Sequence, residues 1–379
     1  MDLPKKLQGK LQTRIENNSL RKLSKPKDLI DFSSNDYLGF SSSVEIFQET
    51  HQYLQEKNFL KNGATGSRLI SGNHSLYNEV EKFLCDYHKS EAALIFNSGY
   101  DANIGFFASV PQRGDVVLYD ELSHASIRDG ITMSHAKSFK FRHNDLSHLE
   151  EQLQKLKESD TVYVVTESVF SMDGDSPNLE KITELTNAYN AFLIVDEAHA
   201  LGVFGNKGVG LIQKLGLEEK IFARIVTFGK ALGCHGAVIL ANNPLREYLI
   251  NFARSFIYTT GLPPHSLATI LKSYEQMQIS GSQEKLRENI QFFTEEVERM
   301  GMSKQFILSS SAIHSCIIPG NRQVKQAAKE LQEKGFDVKA ILSPTVPQNE
   351  ERLRFCLHAY NSFQEITAVL EALRIFVVA

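Results

Sequence analysis

Residues 221–240, IFARIVTFGKALGCHGAVIL, decide the fold. Ile221 to Val226 is mostly apolar and partly β-branched, which predicts a buried strand of a parallel sheet, and GAVIL predicts a second strand. Between them stands Lys230, in a tight turn just past the carboxyl end of the first strand and flanked by the small residues Gly229 and Ala231. In open α/β sheets the ligand crevice lies at the carboxyl ends of the strands. A lysine desolvated there loses its proton more easily and can form a Schiff base. Most lysines are solvated, so Lys230 alone would pass for a surface turn residue. The chain around it argues otherwise.

On the amino-terminal side, strand and helix patterns alternate. AALIF, DVVLYD, TVYVVTES and AFLIVDEAH predict strands, while NSGYDANIGFFASV, SHASIRDGITMSH, LSHLEEQLQKL and LEKITELTNAYN predict turns into helices. Continuous apolar strands separated by helices imply a parallel sheet covered on both faces, an α/β fold. Before this region, Lys5 to Leu20 predicts a charged amphipathic helix, Pro26 an extended or turning path, and DFSSNDYLGF a set of tight turns. GATGSRLISGNHS predicts a glycine-rich loop, followed by Leu76, Val80, Phe83, Leu84 and Tyr87 at the spacing of a core-facing helix stripe. Beyond Lys230, helices are predicted over Pro244 to Phe256, Pro263 to Met277 and SQEKLRENIQFFTEEVERM. SAIHSCIIP, VKAIL and RLRFCLHA with two further helices then make a small α+β unit. The expected division is an N-terminal segment over residues 1–45, a large domain over 46–280 and a small C-terminal domain over 281–379.

The 379 residues are 42% hydrophobic and 23% charged, as expected of a soluble folded chain. A net charge of −4, with lysines and arginines scattered, predicts no nucleic-acid face, and the charged, coreless N-terminus predicts neither a secretion signal nor a spanning helix. Cys85, Cys234, Cys316 and Cys356 lack metal or redox spacing, so reduced thiols in a cytoplasm are expected.

Asp196 ends the strand LIV and His199 follows three residues on, so both can enter one crevice. A carboxylate there can keep a heterocyclic nitrogen protonated, and the imidazole can bond a neighbouring oxygen. VDEAH also has the form of a nucleotide-hydrolysis motif, yet no G-x-x-x-x-G-K-[ST] loop precedes it, and GNKGVG has the wrong glycine spacing for a dinucleotide fingerprint. Ser98, Gly99 and Tyr100 open a helix after a strand, where free N–H groups favour a phosphate or simply a cap. Thr227 could add a hydroxyl, and His124, just past VVLYD, could stack on a flat cofactor. Together these residues describe a pyridoxal phosphate site at successive strand ends.

With SSNDYLG, LIFNSGYDAN, LSHAS, VTESVFSMDGD, VDEAHALGVFG, TFGKALG, FIYTTGLPP and SPTVP followed by RLR, the chain resembles the α-oxoamine synthases, fold-type I pyridoxal 5'-phosphate enzymes, over essentially its whole length. The resemblance implies a mostly parallel, seven-stranded sheet in a large domain, a small C-terminal α+β domain, and a homodimer with shared active sites. It implies that Lys230 binds the cofactor, that Asp196 partners the pyridine nitrogen and His199 the phenolic oxygen, and that His124 stacks on the ring. Ser171 would be a further cofactor contact. Gly99, Tyr100 and Thr227 would hold the phosphate together with Thr259 or Thr260 of a neighbouring subunit. Asn35 and Arg354 would grip the amino-acid carboxylate, and Arg21 and Thr345 would meet the acyl substrate. FSMDGD, YTTGLPP and SPTVP point to the member that condenses L-alanine with a pimeloyl thioester, on coenzyme A or a carrier protein, in biotin synthesis. Glycine C-acetyltransferase-like and serine-using long-chain members are the alternatives. Two departures fall at the acyl end: a short segment between Arg21 and Asp31, and Leu342 where some such synthases carry arginine.

Overall fold

In the large sheet every strand but one at its edge is mostly buried, which matches the apolar runs of the sequence. The structure, a computed structural model, describes residues 3–21, 23, 28–157 and 161–377. The expectation at Pro26 lies outside the described residues. Two compact units emerge: Asn35–Ser171 with Asp175–Lys285, and Met1–Ser34 with Met172–Gly174 and Leu286–Ala379.

The first unit holds a seven-stranded sheet of β1 (Ala92–Phe96), β2 (Val116–Asp120), β3 (Lys137–Phe141), β4 (Val162–Glu167), β5 (Phe192–Asp196), β6 (Ala223–Thr227) and β7 (Ala237–Ala241). Their order is β1-β7-β6-β5-β4-β2-β3. All pairings are parallel except those of β7, which runs against both β1 and β6. Side chains alternate between two buried layers. Val165 and Ile194 join Phe106, Phe107, Ile225 and Ile239 on one face, while Val164, Leu193 and Val195 join Leu149, Ile182 and Ile212 on the other. Two covered faces explain why these strands read as unbroken apolar runs.

The sequence reading named six of the seven strands. It missed β3, KSFKF, because this strand pairs only with β2 at the sheet edge and buries Phe141 alone. Polar, lysine-bearing edges discourage pairing with other chains, and they erase the hydrophobic signature of a strand. The predicted helix over Pro244 to Phe256 is broken at Ala253 into Asn243–Phe252 and Arg254–Ile257, and the N-terminal helix ends at Glu16 rather than Leu20.

Register brings the strand ends near one another. Glu167 lies opposite Asp196, and Asp196 opposite Ile225, so β4 and β5 finish together while β6 runs on past Ile225 to Thr227. The β6–β7 connection then turns sharply. Gly233 N–H donates to the Lys230 carbonyl at 2.8 Å and Cys234 N–H to the Phe228 carbonyl at 3.0 Å. Gly233 has φ +60°, and a Cβ there would lie 2.2 Å from Ser41 N, so only glycine fits.

The second unit contains an antiparallel sheet of β8 (Ile313–Ile317), β9 (Lys339–Ile341) and β10 (Arg352–Cys356), ordered β9-β10-β8. A short parallel ladder joins Ile30–Asp31 to Phe336–Asp337. Helices Asn321–Glu333 and Phe363–Val377 bury Val324, Leu331, Ile366, Val369 and Leu373. Asp173 forms a buried ion pair with Arg352.

Candidate active site

Lys230 stands at the head of the β6–β7 turn, half-buried, with Nζ 2.8 Å from His199 Nε2. The other ring nitrogen, Nδ1, lies 2.6 Å from the hydroxyl of Tyr37, a residue without solvent exposure. The Tyr37 hydroxyl donates to Asn35 Oδ1 at 3.2 Å. With the tyrosine proton directed to Asn35, its oxygen accepts from His199 Nδ1–H, and His199 Nε2 accepts from the Lys230 ammonium. The row Lys230, His199, Tyr37, Asn35 therefore has one donor for each acceptor.

Asp196, 5% exposed, ends β5. Ala198 N–H donates to Oδ1 and Asn103 Nδ2 to Oδ2, both at 2.9 Å. Among the described residues no lysine or arginine forms a salt bridge with it. A buried carboxylate with only neutral donors gains most from a cationic partner, and a protonated heterocyclic nitrogen is one. Beside it, Glu167 Oε1 accepts from His124 N–H at 2.5 Å. Burial, reinforced by the Asp196 charge, pushes the Glu167 carboxyl up to about 8. Where the neutral form prevails, Glu167 adds no negative charge beside Asp196.

His124 caps helix Ala125–Met133 and leaves much of its ring open, while its Nδ1 edge bonds Ser126. Partial desolvation lowers its pKa, Lys230 adding to the effect and Asp196 opposing it. An open ring with one anchored edge suits stacking on a flat group.

Helix Gly99–Ser109 starts at the end of β1, capped by Ser98 Oγ, which accepts from Asp101 N–H at 3.0 Å. The bare Cα of Gly99 faces the hydroxyl of Thr227: a Cβ built there would come within 3.3 Å of Thr227 Oγ1. That leaves a small cradle of backbone N–H and hydroxyl fit for phosphate. Tyr100 is exposed and donates to Asp129 Oδ2 at 2.9 Å. Asn97 Nδ2 binds Thr259 Oγ1 at 3.1 Å and the Thr260 carbonyl at 2.7 Å, which fixes that stretch. Ser171 is half-buried in the turn after β4. The first unit thus carries Lys230, Asp196, His199, His124, Gly99, Tyr100, Thr227, Thr259, Thr260, Ser171 and Asn35.

Arg21, Thr345 and Arg354 belong to the second unit. Arg354 is buried on β10, where Nη1 lies 2.9 Å from Cys356 Sγ, while Arg21 and Thr345 are exposed. Leu342, half-buried, accepts at its carbonyl from Thr345 N–H at 2.8 Å. Sequence reasoning passed over Tyr37, Glu167, Asn103 and Ser126. Tyr37 and Asn103 meet their partners 162 and 93 residues away, so no local spacing marks them.

A lysine amine, a buried carboxylate held by neutral donors, an open imidazole face and a phosphate cradle fit pyridoxal phosphate. Among the described residues no cluster of ligands could hold a metal, and no helix is long and apolar enough to cross a membrane. The aminotransferase class I and II family matches residues 27–373. The 8-amino-7-oxononanoate synthase of Emericella nidulans is 40% identical over 399 residues, covering 97% of this chain and 94% of its own. A solved structure of that enzyme from Francisella tularensis superposes with a TM-score of 0.77 at 30% identity, over 91% of this chain and 96% of the other. A serine palmitoyltransferase variant from S. paucimobilis, with PLP and myriocin bound, superposes with a TM-score of 0.89 at 26% identity, over 98% and 96%.

Proposed function

Because the chain belongs to the aminotransferase class I and II family, we propose that it is a pyridoxal phosphate enzyme condensing L-alanine with a pimeloyl thioester. The products are 8-amino-7-oxononanoate, for biotin synthesis, with carbon dioxide and the free thiol. The observation that carries this reading is the placement of the Lys230 amine, 2.8 Å from His199 Nε2, just past the strand next to the one that ends in the buried Asp196 carboxylate, with which no lysine or arginine forms a salt bridge among the described residues. The 40% identity to the Emericella nidulans relative across 97% of this chain supports the choice of member.

Pyridoxal phosphate, when bound, supplies an electron sink for negative charge developing at the amino acid's Cα. Asp196 would hold the proton on its ring nitrogen. His199 would hold the phenolic oxygen through Nε2, its orientation set by Tyr37. His124 would cover the ring face and shield it from water. Gly99, Tyr100 and Thr227 would bind the phosphate, with Thr259 or Thr260 of the partner subunit in a homodimer, and Ser171 would add a polar contact. Lys230 would anchor the cofactor at rest and, once displaced by the substrate amine, carry the Cα proton at Nζ. Arg354 and Asn35 would grip the alanine carboxylate, the planar guanidinium forming two parallel hydrogen bonds. Arg21 and Thr345 would meet the acyl end, where apolar Leu342 offers no donor. The reaction would take place in the cytoplasm, without a nucleic-acid or membrane partner.

The test is a panel of amino acids against thioesters, reading carbon dioxide and free thiol. Alanine with the pimeloyl thioester should be used best. Preference for glycine with acetyl, or serine with a long-chain thioester, would move the enzyme to another member; no carbon dioxide from any pair would overturn the reaction.

A further inference from the structure

We propose that Asn103 is a positioning residue that, through Ser126, translates the charge of Asp196 into a single tautomer of His124. Asn103 lies on helix Gly99–Ser109, 3% exposed. Its Nδ2 carries two hydrogens and uses both: one goes to Asp196 Oδ2 at 2.9 Å, the other to Ser126 Oγ at 3.0 Å. Among the described residues its buried Oδ1 has no hydrogen-bond partner, so nothing there holds the amide in this orientation from the oxygen side. The anion does. Turned over, the amide would set its oxygen against the Asp196 carboxylate at close range in a poorly screened site.

The consequence passes to Ser126, 1% exposed. Its oxygen is occupied by the Asn103 donor, and its one proton is directed to His124 Nδ1 at 2.7 Å. The backbone N–H of Ser126 points at the same nitrogen, at 3.2 Å. Two donors on Nδ1 leave no room for a proton there, so the ring carries its proton on Nε2. The other charges acting on the ring, Lys230, Arg128 and Asp129, make no hydrogen bond to Nδ1, and Glu167 holds only the backbone N–H. The relay gives His124 a fixed donor edge and a neutral face. The use of that face against an electron-poor ring rests on the function proposed above; the relay itself does not.

The experiment is long-range proton–nitrogen NMR on the full-length chain labelled with [15N]histidine, with His124→Gln to assign the ring, recorded with and without added pyridoxal phosphate. In the unsubstituted protein the Nε2–H form should exceed the Nδ1–H form by about tenfold, equivalent to ~1.4 kcal/mol. In Asn103→Leu that excess should fall at least about fivefold, to the scale left by one lost hydrogen bond. If Asn103→Leu does not fold, Ser126→Ala carries the same expectation. A protonated Nδ1 in the unsubstituted protein, or an unchanged ratio in a folded variant, overturns the relay. A chain that binds no pyridoxal phosphate yet shows the expected ratios would overturn the proposed function and support the relay.

Discussion

Tyr37 has no solvent exposure, and its hydroxyl lies 2.6 Å from Nδ1 of His199, whose other ring nitrogen faces the Lys230 amine. Removing the hydroxyl in Tyr37→Phe takes this hydrogen bond from a buried imidazole, at a cost of about 1–3 kcal/mol, and weakens the preference for one tautomer. Turnover should fall roughly ten- to a hundredfold, each tenfold being ~1.4 kcal/mol, with KM for the amino acid moving far less. Steady-state kinetics decide it: a change confined to KM would mean that Tyr37 only shapes the pocket. Asp196→Asn keeps the size and one acceptor but cannot balance a cation. It should lose more than about nine-tenths of turnover, since removing one member of a buried charge pair typically costs about 3–5 kcal/mol. Retained turnover above that level would assign Asp196 another role.

The turns that carry these residues are tied to one another. Asp120 ends β2, and its Oδ1 accepts from Leu122 N–H at 2.9 Å, which shapes the turn leading to His124. His143 bridges Asp120 Oδ1 at 2.9 Å and Asp175 Oδ2 at 2.8 Å, joining that turn to the one bearing Ser171, whose Phe170 N–H donates to the Asp175 carbonyl at 3.0 Å. Burial opposes charging the His143 ring, yet the hydrogen bonds and charges of the two aspartates outweigh it and raise its pKa from 6.5 to about 10. A base held tighter in the folded state stabilises fully below pH 6.5 and loses that contribution as pH rises towards 10. Thermal midpoints of the unsubstituted protein should therefore decline across this window more steeply than those of His143→Gln. Parallel curves would show that His143 is not charged in the folded chain.

At the scale of the assembly, the proposed phosphate contacts from Thr259 or Thr260 of the partner subunit make each active site dependent on two copies. Lys230→Ala and a chain with both Thr259→Glu and Thr260→Glu should each be inactive alone. Co-expressed, they should form mixed pairs with one intact site each. Random pairing makes half the dimers mixed, so about a quarter of the unsubstituted activity should return. No recovery from a sample shown by mass to contain mixed pairs would place each site within one chain.

The alternation of strand and helix was legible because a parallel strand covered on both faces must be apolar throughout, and the strand ends bearing Lys230, Asp196, His199, Thr227 and His124 are local features of such a chain. The edge strand KSFKF was hidden, since an exposed edge does not need apolar residues. Nor did the sequence give the direction of β7, which depends on the turn held by Gly233 against Ser41. Only the tertiary structure decided what touches what around the reactive residues. Tyr37 meets His199 across 162 residues, Asn103 meets Asp196 across 93 and Asn97 meets Thr259 across 162. Which hydrogen bonds orient a catalytic group is a matter of sheet order and register. Periodicity in a sequence reports which face is buried and carries no information about the neighbour on that face.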